Sequence, residues 1–348
     1  MIHEKYSIVC NVDCLLKIFE EYDNRRLGSE NPYDLLLVTQ FYNLFTTNAY
    51  LVLDKKIEDM QKNPYIKKLL KESKTRGKVL LEENRHDLFE EKSYPSLSAN
   101  TMFIMNKSKE ECQKLEEDYG MYFISIDNIF ERAKLLFSWA LYNVTRNEKA
   151  SNKFKNWEEL QNFRHPFNAM VLVDNYILQE KDNYKGIDNL IDLLDNFLPN
   201  ELQKLDFHLT IIIKKDEKNL KSKCKKLTEM INNLKRPYKI VISLISVSSD
   251  KNHDRNIFTN YFWLHSGHGF DYFSKKGDVT NPTNLMIFPI FHQQDKISPQ
   301  QNTVYEAVYQ LLSEVKSIFD NAIFKAERTP TKVLEQNACG NKQNRLLS

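Results

Sequence analysis

The chain has 348 residues, 41% apolar and 28% charged, and a formal net charge of +2. That balance excludes a disordered chain and a broadly basic nucleic-acid binder, so any polyanion would have to be selected by a local patch. No run reaches the roughly 18–20 apolar residues of a membrane span. With only 8 glycines and 10 prolines, the chain reads as helices mixed with strands rather than a turn-rich sandwich.

Residues 6–12 predict a short strand, and residues 13–23 an amphipathic helix. Pro32 suits the first turn of a second helix to about residue 44. A strand at 49–53, a helix over 55–73 and a short strand at 78–81 follow. After a loop with Pro95, a strand at 101–105 leads into a helix over 108–118, and Gly120 suits its C-terminal cap. A strand at 121–126 precedes an apolar helix over 128–142. Strands alternating with helices imply a largely parallel sheet covered on both faces. The polar stretch 147–162 reads as a linker.

The second half opens with an apolar strand at 170–178 and a helix over 187–198. A strand at 207–213, a lysine-rich helix over 219–234 and a buried strand at 238–247 come next. Strands at 256–264 and 285–291 precede a closing helix over 304–319, and the last 20 or so residues read as a flexible tail. The fold class is therefore α/β, with two domains, each a largely parallel or mixed sheet flanked by helices. The expected boundaries are 1–130, a helical connector at 131–165, 166–328, and a tail at 329–348.

Cys10, Cys14, Cys112, Cys224 and Cys339 match no zinc or disulfide spacing and suit a reducing compartment. Glu4 and Lys5 with no apolar h-region argue against a signal peptide, so a cytoplasmic protein is expected. Lys214, Lys215, Lys218, Lys221, Lys223, Lys225 and Lys226 form a basic run that reads first as a solvated helix face.

The most specific residues are His253-Asp254-Arg255-Asn256, with Asn260 five positions after Arg255, and then His265-Ser266-Gly267-His268-Gly269-Phe270-Asp271. Upstream lies Val173-Asp174-Asn175-Tyr176 at a strand end. This half resembles the phospholipase-D-like superfamily, whose motif is H-x-K-x4-D. The resemblance is to the H-D-R variant of the domain that follows MIT domains. Arg255 stands at the lysine position and Asn260 at the aspartate position. The resemblance implies His253, Arg255 and Asn260 as catalytic candidates, with Arg255, His265 and His268 as phosphate-binding candidates. An active member needs two copies of the motif, so one copy implies a site completed by a second chain, or a site that binds without cleaving.

In the first half, acids or an amide follow the strands: Asp13, Asp54 with Glu58 one turn later, the amide Asn106, and Asp127. The order is similar to a PIN-like nuclease domain. That likeness implies an Mg²⁺ or Mn²⁺ site formed by Asp13, Glu58, Asn106 and Asp127, with Asn106 standing where that family has an aspartate. Two readings remain open. One is a metal-dependent nuclease with an accessory phosphate- or partner-binding domain, in a setting such as antiviral defence. The other is a non-catalytic recognition protein, since Asn106 and Asn260 are both amides at carboxylate positions. The partners implied are nucleic acid or protein, and possibly a second copy of the chain.

Overall fold

The computed structural model describes residues 5–28, 32–47, 49–60, 62–76, 79–178, 180–181, 184–214, 220–247, 255–292, 304–324 and 336–348. The chain is mixed α/β and divides into two units. The first holds residues 1–138 and 289–309, the second 139–288 and 310–348.

The first unit is built on β1 (Tyr6–Cys10), α1 (Val12–Gly28), α2 (Pro32–Thr47), β2 (Ala49–Leu53), α3 (Pro64–Arg76), β3 (Leu80–Glu82), β4 (Met102–Met105), α4 (Lys109–Tyr119), β5 (Tyr122–Ser125) and α5 (Ile129–Phe137). Its five strands form one parallel sheet in the order β3-β2-β1-β4-β5. Parallel strands need helical crossovers that cover the faces, so they read as unbroken apolar runs; β1, β4 and β5 are buried along their whole lengths. The helix expected over 55–73 instead starts at Pro64, whose missing N–H is harmless only in a first turn. Ser108 and Glu111 close a capping box on α4, and Gly120 ends that helix at φ +58°, as its sequence position predicts. Phe291 and Tyr305 belong to this unit through edge contacts with Tyr6, at ring separations of 5.3 and 5.4 Å.

The second unit contains β6 (Ala140–Val144), β7 (Ala169–Val173), a two-strand ribbon of β8 (Glu180–Lys181) and β9 (Tyr184–Lys185), and α6 (Gly186–Phe197). Then come β10 (Phe207–Lys214), α7 (Leu220–Asn232), β11 (Ile240–Val247), β12 (Arg255–Thr259), β13 (Phe262–Ser266) and β14 (Thr283–Pro289). The helix α8 (Val304–Asn321) begins in the first unit and ends in the second, followed by β15 (Ile323–Phe324) and β16 (Gln336–Gly340). The mixed sheet runs β15-β16-β11-β10-β7-β12-β13-β14-β6. β7, β10 and β11 are parallel, while β12 returns antiparallel against β7.

Three expectations change here. The helix through residue 142 stops at Phe137, and residues 140–144 pair antiparallel with β14 as an edge strand. A short, mostly apolar segment without caps fits either period, and only its partner strand decides. The polar linker is also no linker. A 3₁₀ segment at Trp157–Phe163 buries Trp157, Leu160 and Phe163, and Trp157 stacks on Tyr272 at 5.0 Å. Finally, the end of the expected tail is packed. β16 pairs with β11, and Asn344 donates to the Met170 carbonyl (3.0 Å) and Thr210 Oγ1 (2.9 Å), with Leu346 and Leu347 buried beside it.

This tail also affects a histidine. His208 on β10 is largely buried, and burial, with the Arg345 guanidinium nearby, pushes its pKa down to about 4. Because the folded value lies below the ordinary one of about 6.5, the stability contribution is complete above that pH and is lost as pH falls through 4. Urea unfolding followed at pH 7, 5 and 4 should show this loss, and His208→Gln should flatten it. A His208→Gln variant whose stability follows the same pH curve as wild type would refute the assignment.

Candidate phosphate-binding site

Arg255 and Asp174 stand at one edge of the second sheet. In an open α/β sheet the carboxyl ends of parallel strands form the natural binding crevice. Here β7, β10 and β11 end at that edge, and β12, running the opposite way, begins there with Arg255. Asp174 follows β7 directly. Its N–H continues the ladder to the Ile212 carbonyl at 3.0 Å. Its carboxylate, fully buried, accepts from the N–H of Tyr176 (2.8 Å) and of Phe270 (2.7 Å). Burial raises the Asp174 pKa, opposed by those N–H donors and by the Arg255 charge. One carboxylate thus ties the end of the central strand to the glycine-containing turn after β13. Gly269 is required there: a Cβ would stand 2.6 Å from Asp271 Oδ1 and 3.0 Å from Asp174 Oδ2.

Arg255 is half-buried, with its guanidinium 5.8 Å from the Tyr176 ring centre. The guanidinium lies over that ring, and its planar set of N–H donors suits a tetrahedral oxyanion. Opposite Arg255 on β13 sits Ser266, whose hydroxyl accepts from Tyr272 at 2.8 Å. His253 and Asp254 lie outside the described residues, as do Lys215 and Lys218. The described lysines of α7 include Lys225, exposed and 4.0 Å from Glu229.

The other motif residues are placed elsewhere. Asn260 sits just beyond the far end of β12, about 17 Å along the strand from Arg255 at ~3.3 Å per residue. It is buried, and its Oδ1 accepts from the N–H of Asn168 (3.3 Å) and of Ala169 (3.2 Å). It clamps the start of β7 and is not beside the arginine. His265 pairs with Asn256, not with Arg255, and its Nδ1 lies 3.0 Å from Asn256 Oδ1. Successive strand residues face opposite sides, so His265 and Arg255 project from opposite faces and do not share a ligand. His268 is exposed in the turn, its N–H donating to Thr283 Oγ1 at 3.1 Å. Sequence reading missed Asn189 on α6, which holds the Phe273 backbone through both its N–H (3.0 Å) and its carbonyl (2.7 Å). Only its isolation in an apolar helix face signals it.

In the first unit the strand ends are tied to each other. Asn11 donates to Asp54 Oδ2 (2.9 Å) and accepts from the Asn106 N–H (2.8 Å), and Asp54 Oδ1 caps α1 at the Val12 N–H (2.8 Å). The acids proposed for Mg²⁺ or Mn²⁺ are engaged separately. Asp13 pairs with Lys55 at 2.8 Å and Glu58 with Lys56 at 3.6 Å, and Asp127 lies in a 3₁₀ turn where its N–H donates to the capping Ser125 Oγ at 3.2 Å. Asn106 is exposed and contributes its backbone N–H. Among the described residues no three His, Cys, Asp or Glu side chains gather to hold a metal ion, so these residues as arranged do not fit a divalent cation. No helix among the described residues is long and apolar enough to cross a membrane.

No curated protein matches the chain. Among solved structures, polyphosphate kinase from Porphyromonas gingivalis is similar over 54% of this chain and 34% of its own, at 10% identity and a TM-score of 0.26. The chain thus spans about a third of that protein's length. Residues 160–284, from the 3₁₀ segment to the start of β14, match the model of the phospholipase D-like domain at the C-terminus of MIT.

Proposed function

We propose that the phospholipase D-like domain recognises a phosphate or phosphodiester group through Arg255 and does not hydrolyse it. The observation that carries this reading is the position of Asn260, whose amide is committed to the backbone at the far end of β12 while Arg255 remains half-exposed at the binding edge. Hydrolysis by this chemistry needs a nucleophilic histidine and a second acid, and the chain carries one copy of the motif. An arginine alone still supplies a fork of donors matched to phosphate oxygens. In the first unit, the separate ion pairs of Asp13 and Glu58 favour a structural role over metal-dependent cleavage. The whole chain then acts as a recognition protein.

Calorimetric titration with a dinucleoside monophosphate tests this. Arg255→Ala should weaken binding by about tenfold or more, whereas Arg255→Lys, a point charge without the fork, should lose less. The wild-type chain should leave bis(p-nitrophenyl) phosphate, and labelled single strands with Mg²⁺ or Mn²⁺, intact. Metal-independent turnover that disappears in His253→Ala would replace this reading with a phosphodiesterase assembled from two chains.

A further inference from the structure

The sheet face opposite Arg255 carries a second constellation. Trp263 and His265 on β13 share that face with Asn256, whose Oδ1 accepts from Trp263 Nε1 at 2.8 Å. Phe288 on β14 lies 5.8 Å from the Trp263 ring. Trp139, just before β6, stacks on Phe288 at 5.9 Å and 18° between planes. The rings therefore form a ladder running Trp139, Phe288, Trp263, His265 across the strands. Trp139 is 50% exposed and Leu141 40%. An exposed tryptophan beside an exposed leucine makes this edge a candidate contact surface for a ligand or partner.

At the His265 end the face opens into a hollow of about 530 Å³, lined by His265, His268, Asn143, Asn284, Thr283 and Met286 among others. Among the described residues no Asp, Glu, Lys or Arg lines it. The volume suits one small molecule. The lining offers amide, hydroxyl and imidazole groups, a set of hydrogen-bond donors and acceptors without a carboxylate, ammonium or guanidinium among the described residues. It suits a neutral, flat, hydrogen-bonding ring. Asparagine amides pair in two-point fashion with an adenine edge, and aromatic residues on a sheet face stack bases.

We propose that this face binds a nucleobase, preferentially adenine, in the hollow, with Asn284 reading the edge of the ring and the aromatic ladder continuing the stack. The site is separate from Arg255, because the two lie on opposite faces of the sheet. It also explains why two of the chain's three tryptophans stand together on this one face.

Tryptophan fluorescence provides the test, with adenosine, uridine and a short oligodeoxyadenylate as probes. Adenosine should quench saturably and more tightly than uridine. Asn284→Ala should weaken adenosine by about tenfold, and Trp139→Ala should weaken the oligonucleotide by a similar factor, on the scale of one lost stacking or pairing contact. Trp157→Phe, buried against Tyr272, should keep the quench, and so should Arg255→Ala, which separates this proposal from the phosphate reading. Tighter binding of the oligonucleotide than of adenosine would identify a strand as the source of the base. Absence of saturable quenching by any probe, or affinities unchanged in both Asn284→Ala and Trp139→Ala, would overturn the proposal. So would sedimentation showing that Trp139→Ala dissociates a wild-type dimer, since a second copy would then cover the face.

Discussion

Replacing Glu116 by leucine will destabilise the first unit by about 3–5 kcal/mol, the usual cost of removing one partner of a buried ion pair. Glu116 on α4 and Arg132 on α5 form that pair, with side chains only 11% and 21% exposed. Glu116 also accepts from the Phe123 N–H at 3.2 Å, and the guanidinium lies 5.2 Å from the Tyr122 ring. The leucine strands a cation in an apolar setting. The double substitution Glu116→Leu with Arg132→Met removes both charges and should recover most of the loss, because an apolar pair of similar volume is often neutral. Urea unfolding of wild type, the single and the double variant decides the matter: a double variant as unstable as the single one would contradict the buried-pair account. The pH dependence adds a second readout. Burial pushes Glu116 up to about 7, against the pull of Arg132 and of the Phe123 N–H. Its folded-state value lies above the ordinary carboxylate value of about 4.5, so the contribution is complete below that pH and is lost as pH rises through 7. Both leucine variants should lack this slope.

The second large effect is expected at Asn260. Asn260→Ala leaves the N–H groups of Asn168 and Ala169 without their acceptor in a fully buried site. At about 1–3 kcal/mol per stranded group, discounted for partial relaxation, the second unit should lose about 2–4 kcal/mol. Asn260→Asp puts back the carboxylate of the family's motif. It keeps an acceptor for both N–H groups, loses the donor to Asn168 Oδ1 (3.3 Å), and brings a charge into the core. Its cost should therefore fall between wild type and alanine. Affinity for the dinucleoside probe, measured below the unfolding range, should be the same in all three. A gain of phosphodiester turnover in the aspartate variant would show that this position tunes catalysis and would reverse our reading.

Both residues illustrate where the sequence stops being informative. The α/β class was readable from the alternation of apolar runs with capped helices, because each helix and strand advertises its own period. The likeness of residues 160–284 to a phospholipase D-like domain was readable from the His253-Asp254-Arg255 motif and from Asp174-Asn175-Tyr176 upstream, because those residues carry the resemblance as short local strings. The partners of those residues were not readable. Asn260 binds Asn168 and Ala169, more than ninety positions away, and Asp174 binds Phe270; neither pairing leaves a local trace. Residues 140–144 and 336–340 became strands because β14 and β11 were there to receive them.

The sequence by itself determined which segments are apolar, where a capped helix such as α4 begins and ends, and that one motif with an arginine lies in the second half, since those properties are set by neighbours within a turn or two. The tertiary structure alone decided which face each motif residue occupies. Strand register fixes this: pairing Asn256 with His265 sends His265 to one side and Arg255 to the other, and a slip of one residue would have reversed it.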